Sequence, residues 1–133
     1  MQLTPTIYFP GICDDAIAFY GKALGAELLF IKKVATDIPL AQQKPGTEHK
    51  VLRAALRIGD SVVYLSDGHR DTPTFAGVSL TLTLPDRAAA QRTLDALADG
   101  GNVRLPLRET SWTGAFGAVC DRFGMDWLVQ VLD

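Results

Sequence analysis

Residues 109–127 read ETSWTGAFGAVCDRFGMDW, with two aromatic–glycine steps, Phe116-Gly117 and Phe123-Gly124, set between Trp112 and Trp127. Apolar residues run through Phe116 to Cys120, a polar, glycine-bearing turn follows, and a second apolar run starts at Trp127. That pattern predicts a β-hairpin. Asp121 is suited to bonding the turn's own amides. The glycines suit places where the chain turns or where another backbone comes close. The stretch therefore reads as the closing hairpin of a sheet, and its residues as structural before catalytic.

Upstream of this hairpin the chain writes one pattern twice. "VSLTLTL" (78–84) sets Val78, Leu80, Leu82 and Leu84 on one face and Ser79, Thr81 and Thr83 on the other, the alternation of a half-buried strand. A helix is predicted from Asp86 through Ala90, Leu94 and Leu97 to Gly100-Gly101. Earlier, Ile7 and Phe9 oppose Thr4, Thr6 and Tyr8 in a first strand. A helix follows with Asp14 as N-cap, Ile17, Tyr20 and Leu24 in its stripe, and Gly25 as its stop. Residues 26–34, 50–58 and "SVVYL" (61–65) supply three strands, as "NVRLPL", "AFGAVC" and "WLVQVL" do later.

The order is strand, helix, three strands, given twice over modules of about 1–70 and 75–133. The offset between Gly25 and Gly100 exceeds that between Gly59 and Gly124 by about ten residues, which the loop "ATDIPLAQQKPGTEHK" (35–50) accounts for. Each helix is expected to cover the leucine face of its sheet. The Ser/Thr/Tyr/Arg faces are left to line a cleft, the default place for a ligand. Arg53 and Arg57 fall on that open face by parity. Arg53 is the better candidate for an anion, whereas Arg57, near the strand end, is the better candidate for a carboxylate partner.

The 133 residues form one domain with 47% hydrophobic and 21% charged content, enough for a real core. A net charge of −2 with scattered basic residues gives no reason to expect nucleic acid. No apolar run approaches the roughly 20 residues of a membrane span, and no leader opens the chain, so the expected compartment is the cytoplasm. Cys13 and Cys120 form no CxxC pair and read as reduced, partly buried thiols.

The spacing of Trp112, Phe116, Gly117, Asp121, Phe123, Gly124 and Trp127, with "IYFPGICDDAIAFYGKALGAE" (7–27), resembles the PhnB-like branch of the vicinal oxygen chelate superfamily. That superfamily includes glyoxalase I, bleomycin- and fosfomycin-resistance proteins and extradiol dioxygenases. The resemblance covers nearly the whole chain, and Thr113 departs from the glycine usual after the tryptophan. It implies an α+β fold of paired βαβββ modules forming a curved mixed sheet with a concave cleft, and usually a homodimer. In metal-using members the ligands come from the first and last strands of each module. Here those positions fall among Thr4 to Thr6, at Val63 or Tyr64, at or near Ser79, and at Leu128. Where branch members often carry His and Glu, this chain has Arg53 and Ala55. Divalent metals want imidazole, thiolate or carboxylate, so no metal and no cofactor is expected.

His49 and the "SDGHRD" cluster (Asp67, His69, Asp71) are the remaining metal candidates, and a solvated turn is the expectation for the latter. A methyltransferase label sometimes attached to this branch finds no glycine-rich nucleotide loop between a strand and a helix. The expected function is a metal-independent small-molecule binder using Tyr8, Arg53, Tyr64, Thr81, Trp112 and Phe116, with a small anionic or aromatic ligand. The alternatives are a metal-dependent enzyme of the glyoxalase or dioxygenase type, and a regulatory role with no small ligand.

Overall fold

A computed structural model describes residues 1–68 and 75–132, and the chain divides into two compact units, residues 1–73 and 74–133. In the first unit the elements run β1 (Thr6–Tyr8), α1 (Cys13–Leu24), β2 (Glu27–Lys33), α2 (Val34–Asp37), a 3-10 turn (Leu40–Gln42), β3 (Val51–Ile58) and β4 (Ser61–Ser66). The second runs β5 (Leu80–Thr83), α3 (Arg87–Leu97), β6 (Asn102–Arg108), β7 (Ala115–Cys120) and β8 (Asp126–Val131). Both sheets are mixed, and their strand orders, β1-β4-β3-β2 and β5-β8-β7-β6, are the same order written twice. The first and last strands of each unit pair in parallel and the other pairs are antiparallel.

Register shows which residues share a face. In the first sheet Ile7, Leu65 and Ala54 lie in one row and Val63 opposes Leu56. These five are buried, together with Phe9 and the α1 residues Ala16, Phe19 and Tyr20. Phe9 and Tyr20 meet ring to ring at 6.4 Å. In the second sheet Trp127, Val129 and Val119 are buried with Ala90, Leu94 and Leu97 of α3. A fully buried tryptophan such as Trp127 holds about 3–5 kcal/mol against truncation to alanine.

The two helices begin differently. Asp86 caps α3 from within, its carboxylate accepting from the Ala89 N–H at 2.8 Å. The expectation that Asp14 caps α1 fails. Ile12 occupies the N-cap, and Asp14 reaches outward to Lys33 at 2.9 Å. The first α1 amide, of Cys13, is instead taken by Asp67 Oδ1 at 2.9 Å, and Asp67 Oδ2 accepts from the Val51 N–H at 2.8 Å. Gly25 ends α1 in the left-handed region, as its sequence position predicts.

Three further expectations need correction. Val78 lies outside β5 and is exposed, because the strand starts only at Leu80. Strict alternation with Arg53 and Arg57 on the open face sets Leu52 on the opposite, leucine face, but it is exposed. The β2–β3 pairing jumps from Lys32↔Arg53 to Lys33↔Val51, so a bulge breaks the period of two there. The 35–50 segment is not simply a loop. It holds α2 and the 3-10 turn, tied by Gln43 Nε2 donating to the Ile38 carbonyl at 2.8 Å. No helix among the described residues is long and apolar enough to cross a membrane.

Candidate ligand-binding site

The face of the first sheet away from its buried row carries Thr6 and Tyr8 of β1, Tyr64 of β4, Ala55, Arg53 and Arg57 of β3, and Phe30 and Lys32 of β2. Thr6, Tyr64, Ala55 and Phe30 form one row across the four strands. Ala55 is the key to that row. Its methyl group leaves room for the rings of Phe30 and Tyr64, on the strands either side, to approach to 6.3 Å at an interplanar angle of 52°. Ala55 itself is buried, whereas Phe30 is 40% and Tyr8 51% exposed.

Arg53 sits on this aromatic floor, its Cζ 4.9 Å from the centroid of Tyr64. A guanidinium over a ring face is held by the ring's quadrupole and keeps its donor edge free. Arg57, on the same face, is paired with Glu27 at 3.5 Å. Among the described residues no carboxylate comes within ion-pair distance of Arg53, and neither the Tyr8 nor the Tyr64 hydroxyl makes a hydrogen bond. Lys32, next to Arg53 in register, has a long contact with Asp37 at 4.0 Å as its one ion pair among the described residues.

The second sheet presents a milder open face. Thr81 is paired with Leu128, and Phe116 with Gln130, whose side chain donates to Thr83 Oγ1 at 3.0 Å. Trp112 is 64% exposed in the loop before β7 and meets Phe116 edge-on at 5.8 Å. Thr113 is buried and shares a 2.6 Å hydroxyl–hydroxyl bond with Thr110, whose oxygen also accepts the Thr113 N–H at 3.0 Å. The hydroxyl thus rigidifies the loop that carries Trp112.

Tyr8, Arg53 and Tyr64 therefore share one face of the first sheet, and Thr81 and Phe116, with Trp112 beside Phe116, belong to the second. Phe30 belongs with the first group and was not singled out by sequence. "ELLFIKK" lacks alternation because a bulge between Leu28 and Phe30 shifts its parity. The residue in register with Leu128 is Thr81, while Ser79 precedes the strand. Asp67 is buried with both oxygens engaged by amides, which removes it from a surface metal cluster; His69 and Asp71 lie outside the described residues. Burial, then the nearby Asp67 and Asp14 carboxylates, push the Cys13 thiol far up. Burial and Asp126 raise that of Cys120.

The model of a family described as 3-demethylubiquinone-9 3-methyltransferase matches residues 1–131. The chain belongs to that family. The match is consistent with the resemblance to the PhnB-like branch of the vicinal oxygen chelate superfamily, and a putative 3-demethylubiquinone-9 3-methyltransferase, PhnB protein, from Bacillus cereus shares the fold. That structure is 23% identical, with a TM-score of 0.77 over 98% of this chain and 99% of the other. Protein YjdN of Escherichia coli is 34% identical over 99% of this PhnB-like chain and 96% of its own length. Protein PA1353 from Pseudomonas aeruginosa superposes with a TM-score of 0.86 at 31% identity, covering 99% of this chain and 98% of that one. At the level of fold alone, the fosfomycin resistance protein FosX from Listeria monocytogenes is also similar, at 10% identity and a TM-score of 0.70, covering 100% of this chain and 94% of that one.

Proposed function

We propose that this PhnB-like chain is a metal-independent binder of a small organic anion, held on the open face of its first sheet. The observation that carries the reading is Arg53: a guanidinium fixed on the Tyr64 ring, without a carboxylate partner among the described residues, on an exposed aromatic floor. Guanidinium offers a planar fork of donors that carboxylate and phosphate oxygens match. Thr81, Phe116 and Trp112 offer a second surface of hydroxyl and aromatic groups for the same class of ligand.

The donor set supports metal independence. The four ligand positions that the superfamily resemblance implies, among Thr4 to Thr6, at Val63 or Tyr64, at or near Ser79, and at Leu128, hold no imidazole, thiolate or carboxylate. Among the described residues no three His, Cys, Asp or Glu side chains cluster as a metal site would need. A methyl-donor nucleotide does not fit the helix starts either. The β1–α1 connection holds the single glycine Gly11, and the first turns of α1 and α3 already bond to Asp67 and Asp86.

The binding test is thermal: sulfate and acetate should raise the melting temperature, and Arg53→Ala should abolish the rise. Equal stabilisation of variant and parent would leave Arg53 structural. No stabilisation of the parent by either anion would overturn the binding reading. The reading includes a homodimer in the cytoplasm. It is supported by the edge strands β2 and β6, which leave Leu28, Leu29, Val103 and Leu105 exposed. Light scattering at micromolar concentration that gives only the 14.4 kDa species would rule the dimer out.

A further inference from the structure

We infer that the open face of the first sheet selects an arenecarboxylate, its acid group on Arg53 and its planar ring against the surrounding aromatic side chains. The inference rests on the anion-binding reading above and narrows its chemistry. Arg53 lies over the Tyr64 ring of β4, with Lys32 of β2 beside it in register, and shares its sheet face with Phe30 of β2 and, two strands away, Tyr8 of β1. Its guanidinium carbon stands 4.9 Å from the Tyr64 ring centroid, and the planar fork of donors around that carbon can receive a carboxylate in the guanidinium plane. A ring attached to that carboxylate continues the plane outward, over a floor whose exposed faces are aromatic.

An aliphatic acid of similar size would bury comparable apolar area. It would lack the offset-stacked and edge-to-face contacts that ring faces exchange, and the attraction between its π-face and the Lys32 ammonium. A neutral arene would keep those contacts and leave the guanidinium edge hydrated. Two phenols without hydrogen-bond partners among the described residues, Tyr8 and Tyr64, add donors at the rim for a substituent on the ring. A site that needs both a charge and a ring rejects ligands lacking either.

The test is a titration of the full chain with benzoate, cyclohexanecarboxylate and benzyl alcohol, followed by amide and arginine Nε–H nuclear magnetic resonance shifts. Benzoate should bind about five-fold tighter than cyclohexanecarboxylate, the factor expected of one exposed cation–π or stacking contact. Benzyl alcohol should bind weaker still. Tyr64→Leu and Phe30→Leu, at exposed or half-buried positions, should each shrink the benzoate preference while acetate still shifts the Arg53 Nε–H signal. Equal affinity for the two carboxylates would overturn arene selection and leave anion binding standing. Equal affinity for benzyl alcohol and benzoate would overturn the role of the charge. No shift at Arg53 with any carboxylate would sink the inference together with the binding reading beneath it.

Discussion

Asp121 spends its two carboxylate oxygens on three donors: the N–H groups of Phe123 and Met125 at 2.9 and 3.0 Å on Oδ1, and the Trp127 indole at 2.9 Å on Oδ2. The carboxylate is buried, so removing it strands polar groups in a dry turn. Asp121→Ala should lower the urea unfolding free energy by about 3–4 kcal/mol, since bonds to a charged acceptor contribute about 1.5–3 kcal/mol each and do not add fully. Asp121→Asn should recover only part, because its amide nitrogen cannot accept from the indole. A loss under about 1 kcal/mol for the alanine variant would mean that the turn closes without this side chain. The turn role was legible in sequence because two of the partners lie within four residues. Asp67, which does comparable work for Cys13 and Val51, was not, since its partners lie 54 and 16 residues away.

At the scale of elements that same distance separates the two helices. α3 carries its cap three residues from the amide it serves, so its first turn can form from local sequence alone. α1 receives its first-turn acceptor from the end of β4, and closing so long a loop delays the bond. Pulse-labelled hydrogen exchange during refolding should protect the α3 amides before those of the first α1 turn. Asp67→Ala should leave that α1 turn frayed in the folded protein while α3 is unchanged. Simultaneous protection of both helices would show that the caps do not order the steps. Strand alternation was legible where ladders are regular, as in 80–83. It failed at Leu52 and across "ELLFIKK", where bulges slip the period by one residue. The face on which Phe30 lies is hidden from sequence for that reason, and the spacing role of Ala55 depends on strands either side of it that no local pattern announces.

For the whole molecule, the repeated strand order was readable because each unit builds its sheet from its own strands and buries its own apolar residues. Arg53 and Tyr64 could be placed on one face by parity. The ion pair that removes Arg57, and the absence of a carboxylate partner for Arg53 among the described residues, depend on side-chain reach across strands, which no sequence pattern carries. The core also holds a sulfur: Cys13 is fully buried at the start of α1, its thiol pushed up by burial and by the Asp67 and Asp14 carboxylates. This sets an alkaline limit on the fold. Up to the roughly 8.5 of a free thiol, folded and unfolded chains both keep the proton and the contribution to stability is complete. Above it the unfolded chain loses the proton while the folded one holds it, and stability falls by up to about 1.4 kcal/mol per pH unit. Urea midpoints measured from pH 7 to 10 should therefore drop steeply above about 8.5 in the parent and less steeply in Cys13→Ala. Parallel curves would assign the alkaline loss to another group.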